Sequence, residues 1–326
     1  MITIPTTLVL GAGASQPYGF PSGYELRKLL CDPNNITGVQ DGYVGGEVAA
    51  FSEAFLKSGM SSIDAFLARR GEHKVGRNSA TYAEVGKAAI AYCLIQRERP
   101  ESLHAFPDDH WYQYLWSFMC DSLDSFGENK LRIITFNYDR SLEYYLLTAL
   151  QHSFGITAQE AAKHLQKIPI LHVYGQLATL HDQSPDGHGT RRYHPDVSSL
   201  AYISVAAKGI HVIDESRDDD EVFKKAYSYL KDAEKIYFLG FGFDKTNVHR
   251  LRIDELMQDI RARKENNEPR IFATTIGLEA AERAWVVNKF NTSKYPGLHN
   301  SALENIGSHA DLKAEQYLRA TGVFTS

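Results

Sequence analysis

Cysteine is almost missing from this chain: three in 326 residues, at Cys31, Cys93 and Cys120, odd in number and with no Cys-x-x-Cys pair. That excludes a structural zinc site built from four cysteines and fits a reducing compartment. Long hydrophobic runs are missing too, since no window approaches the ~20 apolar residues that span a bilayer. An excess of basic charge is lacking: the net charge of −5 offers no general attraction to nucleic acid or anionic membrane. The N-terminal "MITIPTTLVLGAG" has no basic stretch, and its apolar run ends in a glycine turn. A secretory leader is therefore not expected, and a cytoplasmic location is. There is no internal repeat and no low-complexity tract. What is present, 43% hydrophobic and 23% charged residues over this length, suffices for a substantial globular core.

Short apolar runs recur at 6–12, 131–136, 168–174, 209–214, 235–241 and 270–276. None alternates cleanly between apolar and polar, as expected of strands covered on both faces of a parallel sheet. Helical stripes follow several of them, at 221–233 (Val222, Phe223, Ala226, Tyr227, Leu230) and 247–263 (Val248, Leu251, Leu256, Ile260). The pattern predicts an α/β, Rossmann-like, doubly wound and mostly parallel sheet of about six strands. Residues 31–130 break the alternation with "SSIDAFLARR", "EVGKAAIAYCLIQRE" and "WYQYLWSFMCDSL", all of helical period. They read as a helical insertion within a single domain spanning 1–326. Residues 181–196 read as a polar loop.

Four strand ends carry the candidate chemistry. "LVLGAGASQPYGFPSG" (8–23) suits a backbone cradle for a phosphate, completed by the dipole of a following helix, or simply a tight turn. It departs from G-x-G-x-x-G, because Gln16 replaces the third glycine and Asp32 sits in a helical rather than a strand pattern. An ordinary NAD dehydrogenase is thereby disfavoured. "IITFNYDRSLEYYL" (133–146) delivers Asn137 and Asp139 to a strand's carboxyl end, where Asp139 suits either a ligand pocket or the cap of a helix starting near Arg140. "ILHVYGQL" (170–177) delivers His172, a general base or a satisfied core histidine. "YFLGFGFDKTNVHRL" (237–251) adds Gly240 and Gly242, with Asp244 or Asn247 to cap a helix.

Taken together and in this order, these motifs resemble the sirtuin-like proteins, especially their bacterial NAD-consuming branch in antiphage defence. The resemblance spans residues 8 to about 251. It implies that Gly11, Ala12, Gly13, Ser15, Thr135, Gly240 and Gly242 bind NAD. It further implies that Asn137 positions ribose or water, that Asp139 lines the nicotinamide pocket and that His172 is catalytic. Phe136 stands where the family has glutamine. Val173 and Tyr174 separate His172 from Gly175, so either the turn is longer or Tyr174 occupies the histidine's place. Arg27 answers to a family arginine at a different spacing. The missing four-cysteine module shifts the implied acceptor from an acyl-lysine to water. The activity expected is therefore an NAD glycohydrolase releasing nicotinamide and ADP-ribose, with NAD as substrate and no metal. His172, His181, Asp182, Asp186, His188 and His194 match no helix-borne metal motif. Two alternatives are a catalytically silent NAD or ADP-ribose-binding module and a zinc-independent deacylase or ADP-ribosyltransferase. Expected partners are a second copy of the chain and a regulatory protein such as a HerA-like ATPase or an Argonaute-like protein, with no nucleic acid and no membrane. The aromatics Trp111, Tyr112, Tyr114, Trp116 and Phe118 suit a partner surface or burial against the core.

Overall fold

Thr6–Leu10 (β1) is buried at every residue, and only a strand covered on both faces by packed layers achieves that. The computed structural model describes residues 1–43, 46–76, 80–183, 189–212, 221–262, 269–291 and 305–324. In chain order the other strands are Leu131–Thr135 (β2), Ile170–His172 (β3), Thr179–Leu180 (β4), Thr190–Arg191 (β5), Lys235–Leu239 (β6) and Arg270–Ala273 (β7). Five of them form one parallel sheet in the order β3-β2-β1-β6-β7, while β4 and β5 make a separate parallel pair. The fold is Rossmann-like α/β.

Register decides where the strand ends fall. Leu10 pairs with both Thr135 and Leu239, and Thr135 pairs with His172, so β1, β2, β3 and β6 end level with one another. The turns after these strands share one rim, where α/β sheets present ligand-binding groups.

Between β1 and β2 the described α-helices are Gly23–Leu30 (α1), Glu47–Lys57 (α2), Ile63–Arg70 (α3), Tyr82–Ile95 (α4), Pro100–Leu103 (α5) and Trp111–Met119 (α6). Helix α4 starts at a capping box in which Thr81 and Glu84 satisfy each other's backbone N–H groups, and ten of its 14 residues are buried. Its apolar side chains belong to the same continuous core as β1 and β2. Trp111, Tyr112 and Tyr114 are buried with them, which settles the use of those aromatics. After β2 come Ser141–Phe154 (α7), Ala158–Leu165 (α8), Leu200–Lys208 (α9), Glu221–Lys231 (α10), Lys245–Arg250 (α11), Ile253–Ala262 (α12), Ala280–Lys289 (α13) and Ala314–Ala320 (α14). None of the described helices is long and apolar enough to cross a membrane.

Three expectations are corrected. Among the described residues the main sheet has five strands, not six. In the 209–214 run, Ile210 makes only an isolated antiparallel bridge to Gly175, and 213–214 lie outside the described residues. Close backbone packing is the reason: a Cβ on Gly175 would lie 2.0 Å from the Gly209 carbonyl oxygen, so this run lies against the turn after β3 instead of extending the sheet. The helix expected over 247–263 is two helices, broken at Arg252, whose φ of 53° is left-handed. The break leaves Leu251 and Ile253, on either side of it, both fully buried. The polar loop 181–196 contains β5, which pairs with β4.

Candidate functional site

The glycine turn after β1 and the turn after β6 lie directly against each other. Gly11 N–H donates to the Leu239 carbonyl at 3.0 Å and Gly13 N–H to the Gly240 carbonyl at 3.0 Å. A Cβ on Gly11 would stand 2.5 Å from the Gly240 oxygen, and one on Gly13 would stand 2.8 Å from the Gly240 Cα. Gly240 has φ of 57° and no room for a Cβ, whereas Gly242, φ 70°, faces open space. The turn itself is two single 3₁₀ turns, Ala12–Ala14 and Gln16–Tyr18. The first α-helix starts only at Gly23, capped by Ser22, so the expected helix N-terminus does not follow the glycines directly.

The ends of β2 and β3 hold a different kind of structure. Asn137 is buried; its Nδ2 donates to the Gly11 carbonyl at 2.9 Å and to Ser15 Oγ at 3.0 Å, and its N–H to Thr135 Oγ1 at 3.1 Å. Its carbonyl accepts from His172 Nδ1 at 2.9 Å. Because a carbonyl only accepts, that nitrogen carries a proton. The other ring nitrogen, Nε2, meets the Glu143 carboxylate on the first turn of α7. Asp139 accepts from Ser141 N–H at 3.1 Å and from the Ser141 hydroxyl, but it lies one residue ahead of the helix's N-cap, which is Arg140 and not Asp139. Tyr112, from α6, hydrogen-bonds Ser141 Oγ at 2.7 Å, and Trp111 Nε1 donates to the Ala14 carbonyl at 2.8 Å. The insertion therefore clamps both the glycine turn and the start of α7.

Electrostatics follow from burial. Burial raises the Asp139 pKa above the ordinary carboxylate range; hydrogen bonds from Ser141 oppose this and the Glu143 charge adds to it. Burial alone pulls the His172 imidazole down, but the Glu143 charge and hydrogen bond outweigh it, and the net shift is upward. Arg140, fully buried, forms a bidentate pair with Glu98, itself fully buried, and donates to the carbonyls of Ala178, Thr179, Arg191 and Arg192. Burial lowers its pKa to about 10. Arg191 joins the same carboxylate, so the cluster ties the β4–β5 segment to the start of α7.

Ser15, Tyr112, Thr135, Asn137, Asp139, Glu143 and His172 surround an inner cavity of about 10 Å³, room for a single water. Glu143 and His172 also line a cleft of about 980 Å³ beside β3, whose wall includes Gln176, Lys208, His211 and Lys225. The cavity cannot admit a nicotinamide ring; the cleft is of ligand-site size, ~300–1,000 Å³.

Ser15, Thr135, Asn137, Asp139 and His172 thus come together. Tyr174 does not join them: its hydroxyl donates to Asn247 Oδ1 at 2.6 Å and accepts from Arg250 at 2.7 Å, toward α11. Arg27 lies apart, donating to the Met60 carbonyl and resting over the Phe55 ring. Among the described residues no three His, Cys, Asp or Glu side chains converge as a metal site, and Asp186 and His188 lie outside those residues. Sequence reasoning missed Glu143, Ser141 and Tyr112. It also missed Asp64, on α3, which accepts from the Tyr138 hydroxyl. For Glu143 helical spacing gave no signal, because Asp139 lies ahead of both the N-cap Arg140 and the first residue of α7, Ser141. No protein-family model matches this chain, and no curated protein matches it.

Proposed function

We propose that this chain is an NAD glycohydrolase, cleaving NAD to nicotinamide and ADP-ribose as the effector of a bacterial antiphage defence system. The observation that carries the reading is the meeting of Asn137, Asp139 and His172, with Glu143, in one polar cavity at the sheet's carboxyl rim, beside a ligand-sized cleft. The strand order, which reverses direction at β1, also supports the doubly wound arrangement that the resemblance implies.

The chemistry suits these groups. Nicotinamide leaves as a neutral base while the ribose develops oxocarbenium character, so catalysis needs a placed water, a proton acceptor and a polar pocket for the pyridine. Asn137 places the water. Asp139, held toward its neutral form by burial, lines the inner cavity that holds this water. The Glu143–His172 pair takes the proton, help worth typically ~10²–10⁴-fold. The ribose reaches these groups from the cleft, and the Gly11–Ser15 and Gly240–Gly242 turns hold the nucleotide's phosphates and adenosine. The active form is a cytoplasmic homo-oligomer controlled by a separate regulatory protein.

A second reading is favoured by the His172 ring, both of whose nitrogens are already engaged: a silent module that senses NAD or ADP-ribose. Incubating the purified protein with NAD and separating the products by chromatography distinguishes the two. Nicotinamide release supports the hydrolase. Saturable ADP-ribose binding without release supports the module.

A further inference from the structure

The sequence pattern makes His172 the natural base, but its geometry gives the ring no lone pair to use. Nδ1 already donates to the Asn137 carbonyl at 2.9 Å. Nε2 faces a carboxylate oxygen at hydrogen-bond distance, a contact that requires a proton between the two atoms. The ring is therefore engaged on both sides, with no free lone pair. Its partner is not used up in the same way: Glu143 engages His172 through Oε1, and Oε2 has no hydrogen-bond partner among the described residues. Glu143 also borders both the inner cavity, beside Asn137 and Asp139, and the open cleft.

The geometry points to Glu143 as the catalytic proton acceptor of this reaction, with His172 as the positioning residue that holds its carboxylate. The inference rests on the NAD glycohydrolase reading. In the step it describes, the oxygen of the water placed by Asn137 bonds to the anomeric carbon while Glu143 Oε2 takes one of its protons. The carbon–nitrogen bond breaks with its electron pair going to the pyridinium nitrogen, which leaves as neutral nicotinamide. The proton on Glu143 then passes to solvent through the cleft, so that NAD and water yield nicotinamide, ADP-ribose and one proton.

The groups facing the pair are Asp139 before α7, Arg140 at its start, Tyr112 from α6, and Lys208 and His211 on the cleft wall. Loss of the His172 proton sets the alkaline limb of kcat/KM.

The test measures nicotinamide release across pH for wild type, Glu143→Gln, Glu143→Asp and His172→Gln, and follows the His172 imidazole by NMR titration. Glu143→Gln is expected to fold and lose about 100-fold or more in kcat/KM. Glu143→Asp keeps the charge but withdraws the oxygen by one methylene, and is expected to lose about tenfold. His172→Gln is expected to lose less than Glu143→Gln and to shed the alkaline limb. The His172 titration is expected to move to lower pH in Glu143→Gln. Glu143→Gln or Glu143→Asp activity within threefold of wild type overturns the assignment. So does a His172→Gln loss as large as that of Glu143→Gln, or an unmoved His172 titration. Absence of turnover in the wild-type protein overturns the functional reading and this role with it, whereas turnover with a silent Glu143 overturns the role alone.

Discussion

At the β1 and β6 ends of the rim, the motif glycines are accounted for by contact: Gly11, Gly13 and Gly240 let two turns pack backbone on backbone. At the β2 and β3 ends, a few ångströms away, packing leaves much unexplained. An amide, two carboxylates and an imidazole are buried together around a water-sized cavity, and such burial costs free energy unless every group is paired. The difference teaches that glycine-rich and polar strand ends carry unequal weight. A glycine turn reports equally on a ligand and on a close approach of chain to chain. A buried Asn–Asp–Glu–His cluster has few purely architectural explanations.

The sharpest way to break this contrast is to substitute the glycines. Gly240→Ala adds a Cβ 2.2 Å from the Ala14 nitrogen at a left-handed φ, and is expected to cost about 2–4 kcal/mol in denaturant unfolding. Gly242→Ala has the left-handed φ but open space, and is expected to cost about 1–2 kcal/mol. Equal costs at the two positions contradict the packing account.

On the other side of the comparison, Asn137→Ala removes the side-chain bonds to the Gly11 carbonyl and Ser15 Oγ. The expected stability loss is about 1–2 kcal/mol, small enough to leave a folded protein for activity measurements. A loss that unfolds the chain makes Asn137 architectural first.

The smallest effect is a pH dependence. The His172 pKa is raised in the folded state, so its contribution to stability is fully present below the unfolded value and is lost as pH rises through the folded one. The difference in Tm between wild type and His172→Gln is therefore expected to be largest in mildly acidic solution and to shrink toward alkaline pH. Taking the difference cancels the contribution of Asp139, which is buried in both. A gap that widens with pH contradicts a protonated, Glu143-paired imidazole.

These contrasts also mark what the sequence makes legible. The lack of alternation in "TTLVLGA" reads directly as a strand covered on both faces, and β1 is buried throughout. Motifs at the ends of apolar runs land on one rim because parallel strands ending in register must place them there. The break at Arg252 is invisible to periodicity, since Leu251 and Ile253 both remain buried while the chain changes direction between them. The 209–214 run has strand composition, but Gly209 packs against Gly175 across a turn, a tertiary contact that composition does not encode. Glu143 is hidden for the opposite reason: an acidic residue in an amphipathic helix reads as surface until its partner, 29 residues away, is in place.

The central claim is that the β2–β3 cluster performs chemistry on NAD, and the most direct measurement is nicotinamide and ADP-ribose release from NAD by wild type and by folded Asn137→Ala. The account predicts equimolar products from the wild-type protein and at least about 100-fold slower release from the variant. Equal release by the two proteins, or none by the wild type, contradicts it.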